Sequence, residues 1–353
     1  MRTLYFLLPG LGGRFACGGL WAELKTIKLT QEIGEATIVT YRQREPHTLF
    51  LADLLQEKPR QDDRIFVVSW GFDVPELIRK LAGYPVIYHA HSAEYGFQLP
   101  SQIPIITVSR NTLGYWGQQA PGSLLYYLPN EISPDFYNRN ADHPQNRDID
   151  VLVQVRKSST YLLKQLIPAL RSHCKVEVIH HFVEDLPALF NRTKVYLYDS
   201  AEYWAVQGVT EGFGLQPLEA MACGCQIFSS VNHGLSDYLD PGFNSHKIAA
   251  YATDYDVQRI LAIVQNYQPP AFLETTLAEY RKANILSRLR HILTEVNQFF
   301  DFYREHDRPL SKSVSKLQTI PLLSRWRVAQ LRWRYKWQRL SKKLGLRRDR
   351  RQS

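Results

Sequence analysis

The segment TEGFGLQPLEAMACGCQIFSSVNHGLSDYLD covers residues 210–240 and carries two glutamates, Glu211 and Glu219, eight positions apart. A glycine-rich turn lies between them and leads into a small-residue run typical of a helix. Free amides at a helix start suit an anion, because the N–H groups and the helix dipole both point outward there. A carboxylate one turn into such a helix can accept two hydroxyl hydrogen bonds, as a ribose diol offers. The segment therefore predicts a phosphate site beside a diol-binding carboxylate, and nucleotide sugars carry both groups.

The part of this segment that reads EGFGLQPLEAMACGC resembles the E-x7-E signature of retaining glycosyltransferases of family 4, whose two-domain fold is called GT-B. It departs from that signature at Gln216 and in its Cys-Gly-Cys-Gln ending. The resemblance implies transfer of a glycosyl unit from a nucleotide-sugar donor to a saccharide or glycolipid acceptor, with retention of configuration. It also implies that the enzyme uses no metal ion and no cofactor besides the donor. The alternative is an ordinary loop–helix junction with a glycine-rich cap.

Short apolar runs alternate with helical patterns, from a predicted strand Thr3–Leu8 and helix 20–32 to a predicted helical stretch 273–303. This alternation is typical of a parallel sheet with helices on its faces. We therefore predict an α/β fold with two Rossmann-like doubly wound domains that face a cleft, where ligands bind at the carboxyl ends of the strands. The predicted limits are 1–132 for an acceptor-side domain, 133–148 for a linker, 149–305 for a nucleotide-sugar domain and 306–353 for a basic tail.

The resemblance assigns donor-binding roles to the motif itself. Glu219 would hold the ribose, and the backbone of Phe213, Gly214 and Leu215 would hold the diphosphate. Asn232 lies in a turn after the next predicted strand, where the family has a glycine-rich turn that faces the nucleotide or the sugar. The alternative for Asn232 is an ordinary Asn-His-Gly turn.

Two cations, Arg156 and Lys157, follow the first predicted strand of the second domain. Cations at a strand end that face a helix start suit a diphosphate, and Arg156 matches the arginine of the family. The family has a lysine five residues later, but this chain has Tyr161. The candidates to replace that lysine are Lys157, Lys164 and the hydroxyls of the loop 158–160, Ser-Ser-Thr, which can also bind phosphate. The departure leaves open an alternative, a GT-B protein that binds a nucleotide sugar without turnover.

The glycine-rich loop GLGGRFACGG, residues 10–19, precedes the first predicted helix but does not follow the dinucleotide pattern G-x-G-x-x-G. The resemblance implies that Gly18 and Gly19, at the helix start, approach the donor phosphates or the acceptor. The alternative is a tight turn that requires positive φ, which alone would account for glycine.

Two histidines, His89 and His91, lie at the end of a predicted strand. We place them on opposite faces of that strand, which makes them a poor metal pair, and we predict no metal site. The resemblance gives His91 a contact with the donor sugar, which it would position together with Glu211. The alternative for His91 is a half-buried surface histidine. The sequence contains neither a G-x-S-x-G elbow nor an H-E-x-x-H motif, so it gives no sign of the hydrolases that those motifs mark.

The bulk composition is that of a soluble globular protein, with 44% apolar residues. Four cysteines do not make a disulfide framework in a chain of 353 residues, so we predict reduced thiols and a cytoplasmic location. No apolar stretch approaches the length of a membrane span.

The net charge is unevenly placed. Residues 311–353 contain fourteen Lys and Arg and a single acid, a net charge of +13, which leaves −4 for the other 310 residues. Within this tail, residues 322–346 show a helical apolar stripe with three tryptophans and basic flanks, which is typical of a helix at an anionic membrane surface. The alternatives are packing of the stripe on the body or on a partner, and a tail-driven membrane- or nucleic-acid-binding protein with a vestigial body. The acidic body disfavours nucleic acid.

Overall fold

The structure is a computed structural model that describes residues 2–56, 64–69, 71–248, 252–270 and 273–306. Within these residues the chain forms two parallel sheets, one of seven strands and one of five. The predicted α/β fold with two doubly wound halves is therefore confirmed. The predictions about the basic tail lie outside the described residues, and the exact domain limits stay predictions.

The first sheet consists of short apolar strands that are mostly buried on both faces, as a parallel sheet between helices requires. Its strands are β1 Thr3–Leu8, β2 Ala36–Thr40, β3 Leu49–Phe50, β4 Arg64–Ser69, β5 Val86–Ala90, β6 Ile105–Thr107 and β7 Leu125–Tyr127. Its helices are α1 Gly18–Gln31, α2 Leu51–Leu54, α3 Val74–Lys80 and α4 Arg110–Gln119. The strand order is β3-β2-β1-β4-β5-β6-β7, so the chain reverses direction across the sheet after β2 and β3.

The second sheet follows the same plan with fewer strands. Its strands are β8 Ile149–Gln154, β9 Val176–Ile179, β10 Thr193–Tyr198, β11 Gln226–Ser229 and β12 His246–Lys247. Its helices are α5 Ile167–Leu170, α6 Leu186–Asn191, α7 Ala201–Gln207, α8 Leu215–Ala222, α9 Thr253–Gln265 and α10 Leu273–Ala278, and a π-helical turn, Leu162–Leu166, precedes α5. The strand order is β12-β11-β10-β8-β9, which makes β10 the central strand and brings its carboxyl end next to that of β8.

The last described helix, α11 Lys282–Glu305, returns to the first sheet. Its buried side chains, among them Ile285 and Leu289, pack in one cluster with Leu4 of β1 and Leu20 of α1. The sequence prediction assigned residues up to 305 to the second domain, but the apolar face of α11 is covered by the first sheet. Residues 279–281 also interrupt the helix predicted over 273–303, so that continuous helix is wrong.

Candidate active site between the two sheets

The two sheets meet where strand β5 of the first and the segment after α7 of the second approach each other. The hydroxyl of Ser92 donates a hydrogen bond to the backbone oxygen of Thr210 at 2.7 Å, and the backbone N–H of Ala93 donates to Thr210 Oγ1 at 3.0 Å. A second contact joins the backbone N–H of Arg110, at the start of α4, to Asp237 Oδ2 at 2.9 Å. The glutamate motif therefore lies directly against the first sheet.

The start of helix α8 has the form expected of an anion site. Gly214 adopts a φ of +77°, and a Cβ built on it would lie 2.3 Å from Leu235 Cδ2, so the turn requires glycine. Phe213 is buried against the rings of Tyr238 and Tyr280, which fixes the turn. The first turn of α8 contains no acidic residue. No acidic side chain in this first turn therefore offsets the positive end of the helix dipole.

Glu219, in the middle of α8, is a buried carboxylate without a hydrogen-bonding side chain beside it. It is 7% exposed, and among the described residues none donates a hydrogen bond to its side chain. Burial raises its pKa to about 7, and the charge of Lys25 on α1 opposes that rise. A buried acceptor that lacks a partner in the protein is suited to hydroxyl donors from a ligand.

Glu211 has the opposite environment, because both of its carboxylate oxygens already have partners. Lys157 Nζ lies 3.2 Å from Oε1, while the Tyr198 hydroxyl and the Trp204 indole N–H both donate to Oε2. Burial alone would raise the pKa of Glu211, but the attraction of Lys157 and these hydrogen bonds together lower it. Glu211 is therefore an ionised carboxylate whose partners are side chains of the protein itself. Its place beside the sugar stays a prediction.

The cations after β8 differ in their surroundings. Lys157 has a φ of +72°, a left-handed conformation that is unusual for a lysine and costs roughly 1–3 kcal/mol. Arg156 and Lys164 are exposed, and no described acid forms an ion pair with either. Tyr161, which stands at the position of the family lysine, is 7% exposed and donates its hydroxyl to Asp256 at 2.8 Å. Of these cations, Lys157 is thus the one that contacts Glu211 of the glutamate motif.

Gly18 and Gly19 are the first two residues of α1, a helix of 14 residues whose first turn contains no acid. Neither glycine has positive φ, and a Cβ on Gly18 would meet no atom within 4 Å. A strained turn therefore does not account for these glycines. An approach of backbone to a ligand remains their predicted role.

The prediction that His89 and His91 point to opposite faces is wrong. Residues two apart in a strand share a face, and both imidazoles contact one oxygen of Glu23 on α1. His89 Nδ1 lies 2.6 Å and His91 Nε2 lies 2.7 Å from Glu23 Oε2. Sequence reasoning missed Glu23, although an acid on the apolar face of a helix is an unusual feature. These three side chains are the one group of three possible metal ligands within the described ranges, and the prediction of no metal stays untested.

Asn232 supports the motif rather than lying apart from it. Its side chain accepts a hydrogen bond from the Ser230 hydroxyl at 2.6 Å and contacts Nδ1 of His233 at 3.1 Å. The same nitrogen of His233 accepts from the backbone N–H of Glu211 at 3.3 Å. The turn after β11 therefore holds the backbone of the Glu211 loop, and its predicted contact with a nucleotide stays a prediction.

A small pocket, partly open to solvent, lies between α1 and α11 near the start of α8. Its walls come from α1, from residues 128–131, from Leu215 at the start of α8 and from α11. Lys25 lines it and is also the cation that acts on Glu219. The pocket is therefore lined by the later turns of α1 and by the first residue of α8.

Comparisons with known families and solved structures show what the chain is similar to. Residues 146–270, which include both glutamates, match the family model described as glycosyl transferases group 1. The architecture of two parallel α/β sheets is that of GT-B glycosyltransferase structures. No curated protein sequence matches the chain.

Solved structures similar to this chain share its fold at low sequence identity. Anabaena HepE in complex with UDP is 14% identical with a TM-score of 0.60, covering 84% of this chain and 100% of that one. WaaG, a glycosyltransferase involved in lipopolysaccharide biosynthesis, is 12% identical with a TM-score of 0.58, covering 82% and 99%. The sucrose-phosphate synthase of Thermosynechococcus elongatus is 14% identical with a TM-score of 0.54, covering 86% and 99%.

Among the helices that the structure describes, none has the length and apolarity needed to cross a bilayer.

Proposed function

We propose that this protein is a retaining glycosyltransferase that moves a sugar from a nucleotide diphosphate donor to a saccharide or glycolipid acceptor. The observation that carries the proposal is Glu219, a buried carboxylate without a side-chain donor, one turn inside a helix whose start is positive and glycine-lined. A ribose diol supplies two hydroxyl donors, and a diphosphate supplies the anion for the helix start. One ligand class, the nucleotide sugar, meets both requirements.

In this proposal the positive groups around the cleft stabilise the leaving nucleoside diphosphate. Breaking the glycosidic bond leaves negative charge on the phosphate, and fixed cations and amides lower the energy of that charge without reorganising. Arg156, Lys157 and the amides at the starts of α1 and α8 are the groups that we assign to this task. They supply the positive charge that a divalent ion would otherwise bring, so the proposed reaction uses no metal.

The choice of a first donor to test comes from the structural relatives. Anabaena HepE is described in complexes with UDP, with UDP-glucose, and with UDP and glucose. Because the identity to HepE is 12–14%, these complexes support the fold and suggest UDP-glucose only as the first donor to assay.

A second candidate function is donor binding without turnover. The observation that favours it is Tyr161, which is buried against Asp256 and so offers no cation where the family has a lysine. The role of Lys157 distinguishes the two candidate functions. Lys157 replaces the family lysine only if its charge acts on the diphosphate as well as on Glu211.

We further infer that the basic tail, residues 306–353, holds the protein at an anionic membrane surface. The support is its composition, in which tryptophans and basic residues alternate at helical spacing. A lipid-linked glycan acceptor would be presented at such a surface.

The direct test is an assay of nucleoside diphosphate release from UDP-glucose, UDP-N-acetylglucosamine and GDP-mannose, with and without saccharide acceptors. We expect release with at least one donor, strongly reduced in Glu219→Gln and unchanged in Glu305→Gln, an exposed glutamate at the end of α11. Binding of a donor without any release favours the non-catalytic candidate. Neither binding nor release with any donor contradicts the proposal.

A further inference from the structure

Helix α7, Ala201–Gln207, lies between the end of β10 and the glutamate motif, and none of its residues is buried. Gly208, with a φ of +64°, ends the helix in a left-handed conformation. Most helices in proteins owe their stability to the packing of an apolar face, and a short helix depends on it most. Polar and ring contacts of its side chains therefore take the place of a buried face in connecting α7 to the second sheet.

One side chain of α7, Trp204, contacts both members of an ion pair. Its indole Nε1–H donates a hydrogen bond to Glu211 Oε2 at 2.6 Å. The ammonium nitrogen of Lys157 lies 4.6 Å from the centroid of the same indole ring. Lys157 Nζ is also 3.2 Å from the other carboxylate oxygen, Oε1. Trp204 therefore bridges the cation and the carboxylate, and we call Lys157, Trp204 and Glu211 the indole-bridged pair.

A second residue of α7 fixes the helix to the loop that carries Lys157. The backbone N–H of Thr160 donates to Glu202 Oε2 at 2.6 Å, and the Thr160 hydroxyl donates to Oε1 at 2.8 Å. Thr160 lies three positions after Lys157, and Glu202 lies two positions before Trp204. The helix that carries the indole is therefore joined by two hydrogen bonds to the loop that carries the ammonium.

The ring contact leaves the hydrogen-bond donors of Lys157 free for oxygen acceptors. An aromatic face attracts an ammonium group through its quadrupole, without accepting a hydrogen bond from it along a lone pair. An ammonium group has three N–H donors, so Lys157 can serve Glu211 and a further oxygen acceptor at once. The left-handed backbone of Lys157, with a φ of +72°, is the kind of strain that occurs at functional sites. The contact with Trp204 thus keeps a cation beside the motif with donors to spare.

The indole N–H has a separate effect on the carboxylate. Trp204 and the Tyr198 hydroxyl both donate to Oε2 of Glu211, and both are neutral groups. Burial raises the pKa of Glu211, whereas Lys157 and these two donors lower it. Part of the stabilisation of the ionised carboxylate therefore comes from neutral donors, so Glu211 does not depend on Lys157 alone.

We propose that Trp204 is a positioning residue of the transfer reaction, whose N–H orients Glu211 and whose ring face keeps Lys157 available to the donor diphosphate. The inference rests on the proposed function, because it concerns the carboxylate and the cation of that same site. Trp204 acts through these two side chains, and its role requires no contact with the ligand. Orientation of this kind places fixed charges where the transition state develops its own charge.

Two substitutions separate the two effects of Trp204. Trp204→Phe keeps a ring face but removes the N–H, so we expect kcat to fall about tenfold with nucleotide affinity within about twofold of wild type. Trp204→Leu removes both, so we expect the same loss in kcat and an affinity about fivefold weaker. The assays are UDP release from UDP-glucose and GDP release from GDP-mannose, with calorimetry of UDP and GDP.

A double-mutant cycle shows whether the ring acts through Lys157. In a Lys157→Met background, Trp204→Leu should leave nucleotide affinity within about twofold of Lys157→Met alone, because the ring has no cation left to hold. Tyr255→Leu is the matched control and should change neither kcat nor affinity. Tyr255 is an exposed aromatic residue of α9, and its ring likewise contacts a cation, Arg259, at 5.2 Å.

Unchanged kcat in Trp204→Phe overturns the inference. Equal losses of kcat and affinity in both Trp204 variants also overturn it and indicate a structural role. An affinity loss in Trp204→Leu that persists in the Lys157→Met background overturns it as well, because the ring then acts without the cation. If Trp204→Leu does not fold, the kcat and affinity of Trp204→Phe decide. These outcomes require a wild type that binds a nucleotide, whereas a wild type that neither binds nor cleaves either donor removes the proposed function and this inference with it.

Discussion

The backbone of Gly212 lies against the carbonyl oxygen of His91 so closely that a Cβ on Gly212 would sit 1.6 Å from that oxygen. No rotation of a side chain can relieve such a contact, because the obstructing atom belongs to the backbone. Gly212 immediately follows Glu211, and His91 immediately follows strand β5 and contacts Glu23 of α1. The two halves of the candidate site are therefore in direct contact, and glycine is what allows it.

Gly212→Ala should force the two sheets apart at this point. We expect a larger radius of gyration by small-angle X-ray scattering and a loss of donor turnover of more than tenfold, while each half stays folded by circular dichroism. Gly114→Ala is the matched control, because a Cβ there meets no atom within 4 Å. An alanine variant at 212 with wild-type scattering and turnover would show that the contact is not required.

Lys157→Met should weaken UDP or GDP binding by about 1.5–3 kcal/mol, the usual size of a lost hydrogen bond to a charged group. The reason is that Lys157, which has a left-handed backbone conformation, lies 3.2 Å from Glu211 of the motif. Lys175→Met is the matched control, because Lys175 is a surface lysine paired with Asp148. Calorimetry measures the nucleotide affinity of both variants. Equal affinity in both variants would limit Lys157 to pairing with Glu211.

Glu211→Gln should lower turnover more than nucleotide affinity. Glutamine can still accept from Tyr198 and Trp204, but it cannot supply the charge that pairs with Lys157 at 3.2 Å. We expect kcat to fall at least tenfold with UDP affinity within threefold of wild type, measured by steady-state kinetics and calorimetry. If only KM rises, Glu211 is a binding residue and the proposed role in the chemical step is lost.

The sequence predicted the fold because its signals are local. Apolar runs such as Thr3–Leu8 alternate with helical patterns, and that periodicity is enough to predict parallel sheets. The glutamate motif was likewise predictable, because Glu211 and Glu219 lie on one continuous stretch. The positive φ of Gly214 follows from turn chemistry, whereas Gly212 is required by the backbone of the distant His91.

What the sequence did not reveal depends on contacts between distant segments. Glu23 and His89 are 66 positions apart, and only the packing of α1 on β5 brings them together. The different environments of the two motif glutamates are equally non-local, because Lys157 and Tyr198 come from the ends of two strands. The return of α11 to the first sheet depends on which apolar surface remains uncovered, which periodicity does not show.

The pKa of Glu219 predicts how stability depends on pH. Its folded pKa, about 7, is above the ordinary value of 4.5, so the folded state binds the extra proton between these values and becomes less stable as pH rises through them. Glu219→Gln removes this effect and should gain up to roughly 3 kcal/mol relative to wild type between pH 4.5 and pH 8. Urea unfolding of both proteins at pH 4.5 and pH 8 measures it. A difference between the proteins that does not change with pH would mean that Glu219 is not buried as described.

Deletion of residues 311–353 should leave the body folded and abolish binding to anionic liposomes. The deleted segment carries a net charge of +13 and follows the complete α/β pattern. Flotation of full-length protein should also weaken with salt, because part of the attraction is screened. Equal flotation with and without the tail contradicts the membrane role, whereas early melting of the truncated protein favours packing of the tail on the body.

The central claim is that a nucleoside diphosphate binds in the cleft through Glu219. Calorimetric titration of UDP, GDP and ADP into wild type, Glu219→Gln and Glu305→Gln tests it most directly. We predict that at least one nucleotide binds the wild type, that Glu219→Gln weakens this binding by about 1.5–3 kcal/mol, and that Glu305→Gln leaves it unchanged. Binding of equal strength in a folded Glu219→Gln protein, or no binding of any of the three nucleotides to the wild type, would contradict the claim.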